Sequence, residues 1–87
     1  MFKKCLNPEE VMKILRMFGA TTNKLRGQKL CGDFSRFGFK GTDLTGTTFV
    51  ERSLLSGCNL EGAILTDALL KKVDLTGANL YQATLHR

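Results

Sequence analysis

Residues 53–85 read SLLSG CNLEG AILTD ALLKK VDLTG ANLYQ ATL when they are written in groups of five. The third residue of every group is leucine, so a large apolar side chain returns at a fixed interval. The interval extends back to Leu25, with one shortened step between positions 30 and 34 and one lengthened step between positions 49 and 55. The full series is Leu25, Leu30, Phe34, Phe39, Leu44, Phe49, Leu55, Leu60, Leu65, Leu70, Leu75, Leu80 and Leu85.

The other positions of each group are also restricted in residue type. Most groups begin with a small residue, drawn from Thr42, Thr47, Ser53, Cys58, Ala63, Ala68, Val73, Ala78 and Ala83. The residue before the central one is often acidic or an amide, as at Asp33, Asp43, Asn59, Asp74 and Asn79. Glycine often comes two places after the central residue, at Gly27, Gly32, Gly41, Gly46, Gly57, Gly62 and Gly77.

A period of five fits neither a single helix nor a single strand. On a helix, each step of five rotates the side chain by roughly 140°, so the leucines form no stripe. On a strand, an odd step places successive leucines on opposite faces. All of them lie inside only if the chain turns once per repeat, and the periodic glycines suit corners with positive φ. The pattern therefore predicts a solenoid with one continuous core.

This repeat resembles that of the pentapeptide-repeat family, whose consensus is A(D/N)LxG. The best matches are the pentapeptides that begin at Thr42, Cys58 and Val73, together with Ala78-Asn79-Leu80. The resemblance implies a right-handed quadrilateral β-helix, with one repeat per side and four repeats per coil. The series of thirteen central residues then makes about three coils. Two bulky residues at small positions, Gln28 and Phe37, leave the register around 28–37 less well defined.

A helix is predicted before the repeats. Asn7 has the sequence context of an N-cap, Pro8 of the first helical residue, and Glu10 has capping-box spacing from Asn7. One apolar stripe is expected, and Gly19 is expected to end the helix. The stripe consists of Val11, Ile14, Leu15 and Phe18. A partner-binding helix would carry such a stripe, but a lid on the first coil explains it more simply, because open solenoid ends aggregate.

The predicted fold class is thus an all-β solenoid with an N-terminal capping α-helix. Residues 1–24 form the tail, capping helix and connector, and residues 25–87 form the β-helix. With 87 residues, there is no room for a second domain. Three cysteines are too few and too dispersed for a disulfide framework, and no signal peptide or membrane span is recognised. A cytoplasmic location is the default expectation.

The sequence predicts no enzyme, cofactor or metal site. His86 is the only histidine and lies beside the C-terminus, and there is no CxxC pair, P-loop or HExxH motif. Cys58 occupies an inward position and is expected to be a buried, inert thiol. The acidic residues Asp33, Asp43 and Asp74 are expected to bond corner backbone, and Asp67 to occupy a corner usually held by Gly.

Two surface features bear on binding. Five apolar residues at outward positions form a candidate interface: Val50, Leu54, Ile64, Leu69 and Tyr81. If coils stack in register, Val50 and Leu69 share one side and Ile64 lies on the adjacent one. The net charge is +5, and residues 1–40 hold nine basic and three acidic side chains. The candidate basic patch comprises Lys3, Lys4, Lys13, Arg16, Lys24, Arg26 and Lys29. A solvated, solubilising face is the simpler explanation of this patch.

Three functions follow as hypotheses. The favoured one is a non-catalytic protein–protein interaction module with an unidentified protein partner. The alternative is binding to nucleic acid or another anionic surface through the basic N-terminal part, which would show steep salt dependence. The resemblance adds a third, DNA mimicry directed at type II topoisomerases, as in quinolone-resistance members of the family. That mimicry requires an acidic surface and is disfavoured by the positive net charge.

The C-terminal coil raises a further expectation. Leu70, Leu75 and Leu80 would lie on an uncovered end with free backbone groups. A C-terminal end-to-end homodimer would cover that end by an isologous contact, unless the chain is a fragment of a longer solenoid.

Overall fold

The computed structural model describes residues 5–85. Its regular elements are one helix, α1 (Pro8–Phe18), and two short parallel strands, β1 (Lys29–Leu30) and β2 (Thr48–Phe49). The two strands pair with Lys29 opposite Thr48. The remaining backbone pairs through isolated parallel bridges separated by two-residue turns, because each five-residue repeat has room for little more than one bridge before the next corner. No helix of residues 5–85 is long and apolar enough to cross a membrane.

The parallel bridges fall into four columns, and the chain visits them in order. The first column contains β1, β2 and Leu69. The second runs through Asp33, Leu54 and Asp74, the third through Gly38, Asn59 and Asn79, and the fourth through Asp43, Ile64 and Thr84. From β1 onward, the chain returns to each column after 19 to 21 residues. This is the stacking that a repeat of five predicts when four repeats complete one circuit.

The central residue of each repeat points inward, as predicted. The first and second circuits are buried throughout, and they contribute Leu30, Phe34, Phe39, Leu44, Phe49, Leu55, Leu60 and Leu65 to one core. Leu25 is buried against the fourth column, where the N–H of Gly27 donates to Thr45 at 2.9 Å. The small first-position residues from Thr42 to Ala63 share the interior, so the turns of this part of the chain bury two side chains of different size. Such alternation fills the narrow space between stacked circuits.

Around residues 28–37, where the sequence leaves the register less well defined, the inward positions follow the regular pattern. Phe37 occupies the small first position and is nonetheless buried. Its ring centroid lies 5.1 Å from that of Phe34 and 4.6 Å from that of Phe39. Phe34 also meets the Phe49 ring edge-on at 6.1 Å. The bulky residue is accommodated because the neighbouring central residues are aromatic and pack at edge-to-face and tilted angles.

The lengthened step between positions 49 and 55 is absorbed at one corner. Thr48 pairs with Leu69, a separation of 21 residues, whereas Leu54 pairs with Asp74, a separation of 20 residues. The extra residue therefore lies between Thr48 and Leu54, which agrees with the lengthened step in the sequence pattern. Arg52 itself has a positive φ of 73°.

Helix α1 has the predicted bounds and caps. The Asn7 side chain accepts the N–H of Glu10, and the Glu10 carboxylate accepts the N–H of Asn7, each at 2.9 Å. The N–H of Gly19 donates to Leu15 at 2.8 Å where the helix ends. The predicted stripe is wrong at Phe18, which is exposed beneath the Lys24 ammonium group, 4.7 Å from its ring centroid.

The segment before α1 is not a simple tail. Leu6 is buried and forms a parallel bridge with Leu30, which adds one more residue pair to the first column. This bridge brings Cys5 beside Cys31, and the structure joins them by a disulfide with a Cα–Cα distance of 5.8 Å. Sequence spacing could not indicate this pairing, because the two cysteines become neighbours only when Leu6 docks on β1.

Burial decreases along the solenoid. In the third circuit, Leu70, Leu75 and Leu80 are only partly buried, and Leu85 is exposed. Second-circuit N–H groups donate downward, for example from Leu55 to Asp74 at 2.8 Å. Within residues 5–85, no further circuit lies beneath the third, so its inward side chains are covered from one direction only.

Candidate functional site

The candidate interface residues are all exposed, but they do not form one cluster. Their exposed fractions are 36% for Val50, 40% for Leu54, 38% for Ile64, 59% for Leu69 and 64% for Tyr81. Val50 and Leu69 share the first column, since Val50 follows β2 and Leu69 pairs with Thr48. Leu54 lies in the second column and Ile64 in the fourth, both adjacent to the first. Tyr81 follows the third column, where its carbonyl accepts the N–H of Gly62 at 2.9 Å.

Cations surround the part of the candidate interface that lies on the first column. Lys29 precedes Leu30 in β1 and pairs with Thr48, the residue above Leu69. Lys71 follows in the third circuit, with its Nζ 3.8 Å from the Glu51 carboxylate. At the corner between the first and second columns, the backbone N–H of Arg52 donates to the carbonyl of Lys72 at 3.1 Å. We call this set the cationic–apolar surface: Val50, Leu54, Ile64, Leu69, Lys29, Arg52, Lys71 and Lys72.

The corner cations have an unusual backbone. Residues with positive φ other than glycine are Arg36, Arg52, Asp67, Lys72 and Gln82. The left-handed region costs an L-residue roughly 1–2 kcal/mol relative to right-handed backbone. Glycine occupies the equivalent corner positions elsewhere, so the fold does not require a side chain there. Three of the five side chains placed at such corners are cationic, which adds positive charge along the outer edges of the solenoid.

The predicted basic patch is only partly available. Lys3 and Lys4 lie outside the described residues. Lys24 lies over the Phe18 ring, and the Arg26 Nε is 3.6 Å from the Asp43 carboxylate. The other three residues, Lys13, Arg16 and Lys29, are exposed. Internal contacts thus engage two of the five described cations of this patch.

The carboxylates serve the corners, as predicted. Asp33 Oδ1 accepts the N–H of Ser35 at 2.9 Å, and the same bond recurs two residues after each equivalent Asp or Asn. The other pairs of side-chain acceptor and backbone N–H donor are Asp43 with Thr45, Asn59 with Glu61, Asp74 with Thr76, and Asn79 with Tyr81, at 2.9 to 3.1 Å. Each side chain satisfies a backbone donor that the turn leaves unpaired. Asp67 takes the predicted corner position, with φ 60°.

These bonds hold the carboxylates in their charged form. The hydroxyl and backbone N–H of Ser35 lower the pKa of Asp33, and those of Thr76 lower the pKa of Asp74. At Asp43, partial burial acts to raise the pKa, but the hydroxyl and N–H of Thr45 and the charge of Arg26 outweigh it. Its pKa is therefore also lowered. A carboxylate kept charged by fixed donors is a structural acceptor rather than a proton donor at neutral pH.

The remaining candidate groups are in inert surroundings. The Cys58 side chain is fully buried, and burial raises the pKa of its thiol. His86 lies outside the described residues. Over residues 5–85 the structure contains neither a ligand-sized pocket nor a group of three metal-ligating side chains.

Stacked five-residue turns with inward Leu and Phe, and with Asp or Asn bonding each corner, define a β-solenoid. The family model for pentapeptide repeats matches residues 52–87 with eight copies. The chain belongs to the pentapeptide-repeat family, as its resemblance predicts. The repeats before residue 52 lie outside that match, although their bridges continue the same columns.

A curated relative supports the same family. The chain is 38% identical over 68 residues to the quinolone resistance pentapeptide repeat protein QnrB96 of Scandinavium goeteborgense. The aligned part covers 71% of this chain but only 32% of the relative, so the chain spans about a third of that protein's length. No solved structure matches the chain.

Two features of the structure could not be predicted from the sequence. The first is the group of cations beside the apolar residues, Lys29, Arg52, Lys71 and Lys72. Stacking of circuits, not sequence proximity, brings Lys29 into the same column as Leu69. A partial signal was present, since Lys72 occupies the corner place, two after the central Leu70, where Gly is common. The Cys5–Cys31 disulfide gave no comparable signal.

Proposed function

We propose that the protein is a non-catalytic interaction module that binds a partner protein through the cationic–apolar surface. The observation that carries the proposal is the exposure of Leu69 and Val50 on one column. Binding is stabilised when a partner removes such exposed apolar side chains from water. The adjacent Lys29, Arg52 and Lys72 favour a partner with acidic residues beside its own apolar strip.

The fold fits this role in the form that the family implies. We infer a right-handed, quadrilateral β-helix of about three coils, with α1 as the lid of its first coil. A rigid solenoid presents side chains from successive circuits at fixed spacing, which lowers the entropic cost of binding. The non-catalytic assignment draws support from Asp33, Asp43 and Asp74, whose carboxylates bond the backbone at corners. A cytoplasmic location remains part of the proposal.

The test combines capture with surface variants. The immobilised protein is incubated with lysate of its source, and captured proteins are identified with and without about 0.5 M salt, which shortens electrostatic range. Leu69→Asp should abolish capture of the specific partner, and Lys72→Glu should weaken it. Tyr81→Asp is the matched control, because it introduces the same charge on a different column. Equal capture by wild type and Leu69→Asp would contradict the proposal.

Binding to nucleic acid is the second candidate, supported by the net charge of +5. It is less favoured because Lys24 and Arg26 already contact Phe18 and Asp43. Duplex and single-stranded oligonucleotides at about 50 mM salt test it, with Lys13→Glu and Arg16→Glu as the variants. Undetectable binding would remove this candidate.

Topoisomerase-directed mimicry of DNA rests on the family resemblance, to which the name of the relative adds quinolone resistance. The positive charge disfavours it, since a mimic of DNA must present negative charge. Protection of supercoiling from a fluoroquinolone by the purified protein would overturn that judgement.

An end-to-end homodimer through the third circuit also remains a proposal. The half-buried Leu70, Leu75 and Leu80 would form its contact. Light scattering after size exclusion over a concentration series tests it, and a strict monomer at high micromolar concentration would contradict it.

A further inference from the structure

The disulfide lies where α1 joins the solenoid. Cys5 and Cys31 flank the bridge between Leu6 and Leu30. The N–H of Leu6 donates to Lys29 at 2.8 Å, and the N–H of Cys31 donates to Leu6 at 3.0 Å. Both cysteines are only partly buried, so a reagent in solution has access to this edge.

The non-covalent hold on α1 is small. Val11 is the one fully buried side chain of the helix, while Ile14 and Leu15 are partly buried. Pro8 lies against Gly32, and beyond Leu15 the helix is exposed. A segment with few buried contacts opens locally at much lower free energy than the core. The disulfide therefore contributes a large part of what keeps α1 docked.

We propose that the Cys5–Cys31 disulfide is a reversible latch, cleaved by a dithiol reductant, that controls docking of α1 on the first circuit. One thiolate of the reductant attacks a sulfur of the Cys5–Cys31 bond and forms a mixed disulfide, which releases the other cysteine as a thiolate that takes up a proton. The second thiol of the reductant then displaces the remaining cysteine. Two electrons and two protons pass to the protein, and the dithiol becomes a cyclic disulfide.

The third cysteine does not take part in the exchange. Cys58 is fully buried and follows Gly57 at the start of a second-circuit turn in the third column, whereas Cys31 follows β1 in the first. Burial raises the pKa of its thiol, which keeps it protonated and unreactive. The reducing equivalents must therefore come from outside the chain.

Opening the latch has a defined local consequence. Release of Leu6 frees the carbonyl of Lys29 and the N–H of Cys31, and it withdraws Val11 from the core. The bonds between the second and third circuits, such as Leu65 to Thr84 at 2.8 Å, are independent of these contacts. Reduction should therefore loosen the N-terminal end while the lower circuits remain folded.

The experiment measures amide hydrogen exchange in the whole chain with and without dithiothreitol. Reduction should speed exchange at Leu6, Val11 and Cys31 by about tenfold or more, and leave Leu65 within about twofold, because only the local opening changes. Thiol titration in denaturant should rise from one free thiol to three.

Two variants make the result decisive. Cys5→Ser should exchange like the reduced wild type and should not respond to dithiothreitol. Cys58→Ser keeps the latch and should respond as the wild type does. Three free thiols in protein purified under air with no reductant would overturn the proposal, and so would unchanged exchange at Val11 upon reduction. Global unfolding of the reduced chain, with Leu65 exchanging as fast as Val11, would also overturn it, since the cysteines would then be a general staple.

Discussion

The pyrrolidine ring of Pro8 lies against the backbone of Gly32. A Cβ placed at position 32 would lie 3.1 Å from the Cδ of Pro8. Gly32 also has φ 114°, beyond the left-handed range that the non-glycine corners of this chain adopt. The first residue of α1 and the corner after β1 thus fit together only because position 32 has no side chain.

Gly32→Ala should lower the free energy of unfolding by about 2–3 kcal/mol, since it combines backbone strain with a close contact. Gly41→Ala is the control, because Gly41 has φ 68° and open space around its Cβ position. That change should cost about 1 kcal/mol. Urea denaturation of the two variants measures the difference, and equal losses would mean that Pro8 does not press on position 32.

Two buried threonine hydroxyl groups lower the stability of the fold. The hydroxyl groups of Thr42 and Thr47 are buried and have no hydrogen-bond partner among residues 5–85. Thr42→Val should raise the free energy of unfolding by about 1–2 kcal/mol, because valine has the same shape without a buried polar atom. Ser53→Ala should have the opposite sign and cost about 1 kcal/mol, since the Ser53 hydroxyl donates to Val50 at 2.6 Å. A loss of stability in Thr42→Val, measured by the denaturation midpoint, would contradict this assignment.

Replacing Arg36 with glycine should increase the stability of the protein. Arg36 has φ 61°, and the equivalent corners of the next two circuits hold Gly57 and Gly77. Arg36→Gly should stabilise the protein by about 0.5–1 kcal/mol, as relief of the left-handed backbone outweighs the entropic cost of glycine. Lys40→Gly removes the same charge where φ is not positive and should destabilise by a similar amount. Thermal unfolding that shows the same sign for both would contradict the prediction.

The loss of stability on truncating a central leucine should be larger in the second circuit than in the third. Leu55 and Leu75 occupy the same inward position of the second column, but Leu55 is fully buried and Leu75 only partly. Leu55→Ala should cost about 2–5 kcal/mol, and Leu75→Ala under about 2 kcal/mol. Circular dichroism during urea unfolding measures both. Equal costs would mean that the third circuit is covered in solution, as an end-to-end dimer would require.

Stability should fall in acid because of the corner carboxylates. The pKa values of Asp33, Asp43 and Asp74 are lowered in the folded state from 3.8, so the folded protein binds fewer protons than the unfolded chain. Their contribution is present above about pH 4 and is lost as the pH drops through the lowered values. The urea midpoint should therefore fall as the pH is lowered below about 4. Asp43→Asn keeps an acceptor, as Asn59 does, and should flatten the profile, whereas an unchanged profile would contradict its role.

The inward and outward faces of the repeats could be predicted from the sequence because five-residue periodicity leaves one arrangement that buries every central Leu or Phe. The same holds for the caps of α1 and for the bonds from Asp and Asn to the corners, since each depends on residues at most four positions apart. The sharing of a column by Val50 and Leu69 also followed, because it required only the number of repeats per circuit.

Contacts between distant segments could not be predicted, because no periodic signal specifies them. Docking of Leu6 on β1 places Cys5 beside Cys31, at a sequence separation of 26 residues. Stacking also gathers Lys29, Arg52 and Lys72 around Leu69 from three separate repeats. The sequence by itself determined the repeat, its inward side and its corner chemistry, because these arise from local spacing. Only the tertiary structure decided the N-terminal closure and the charge around the exposed apolar column, because both depend on which residues of different circuits become neighbours.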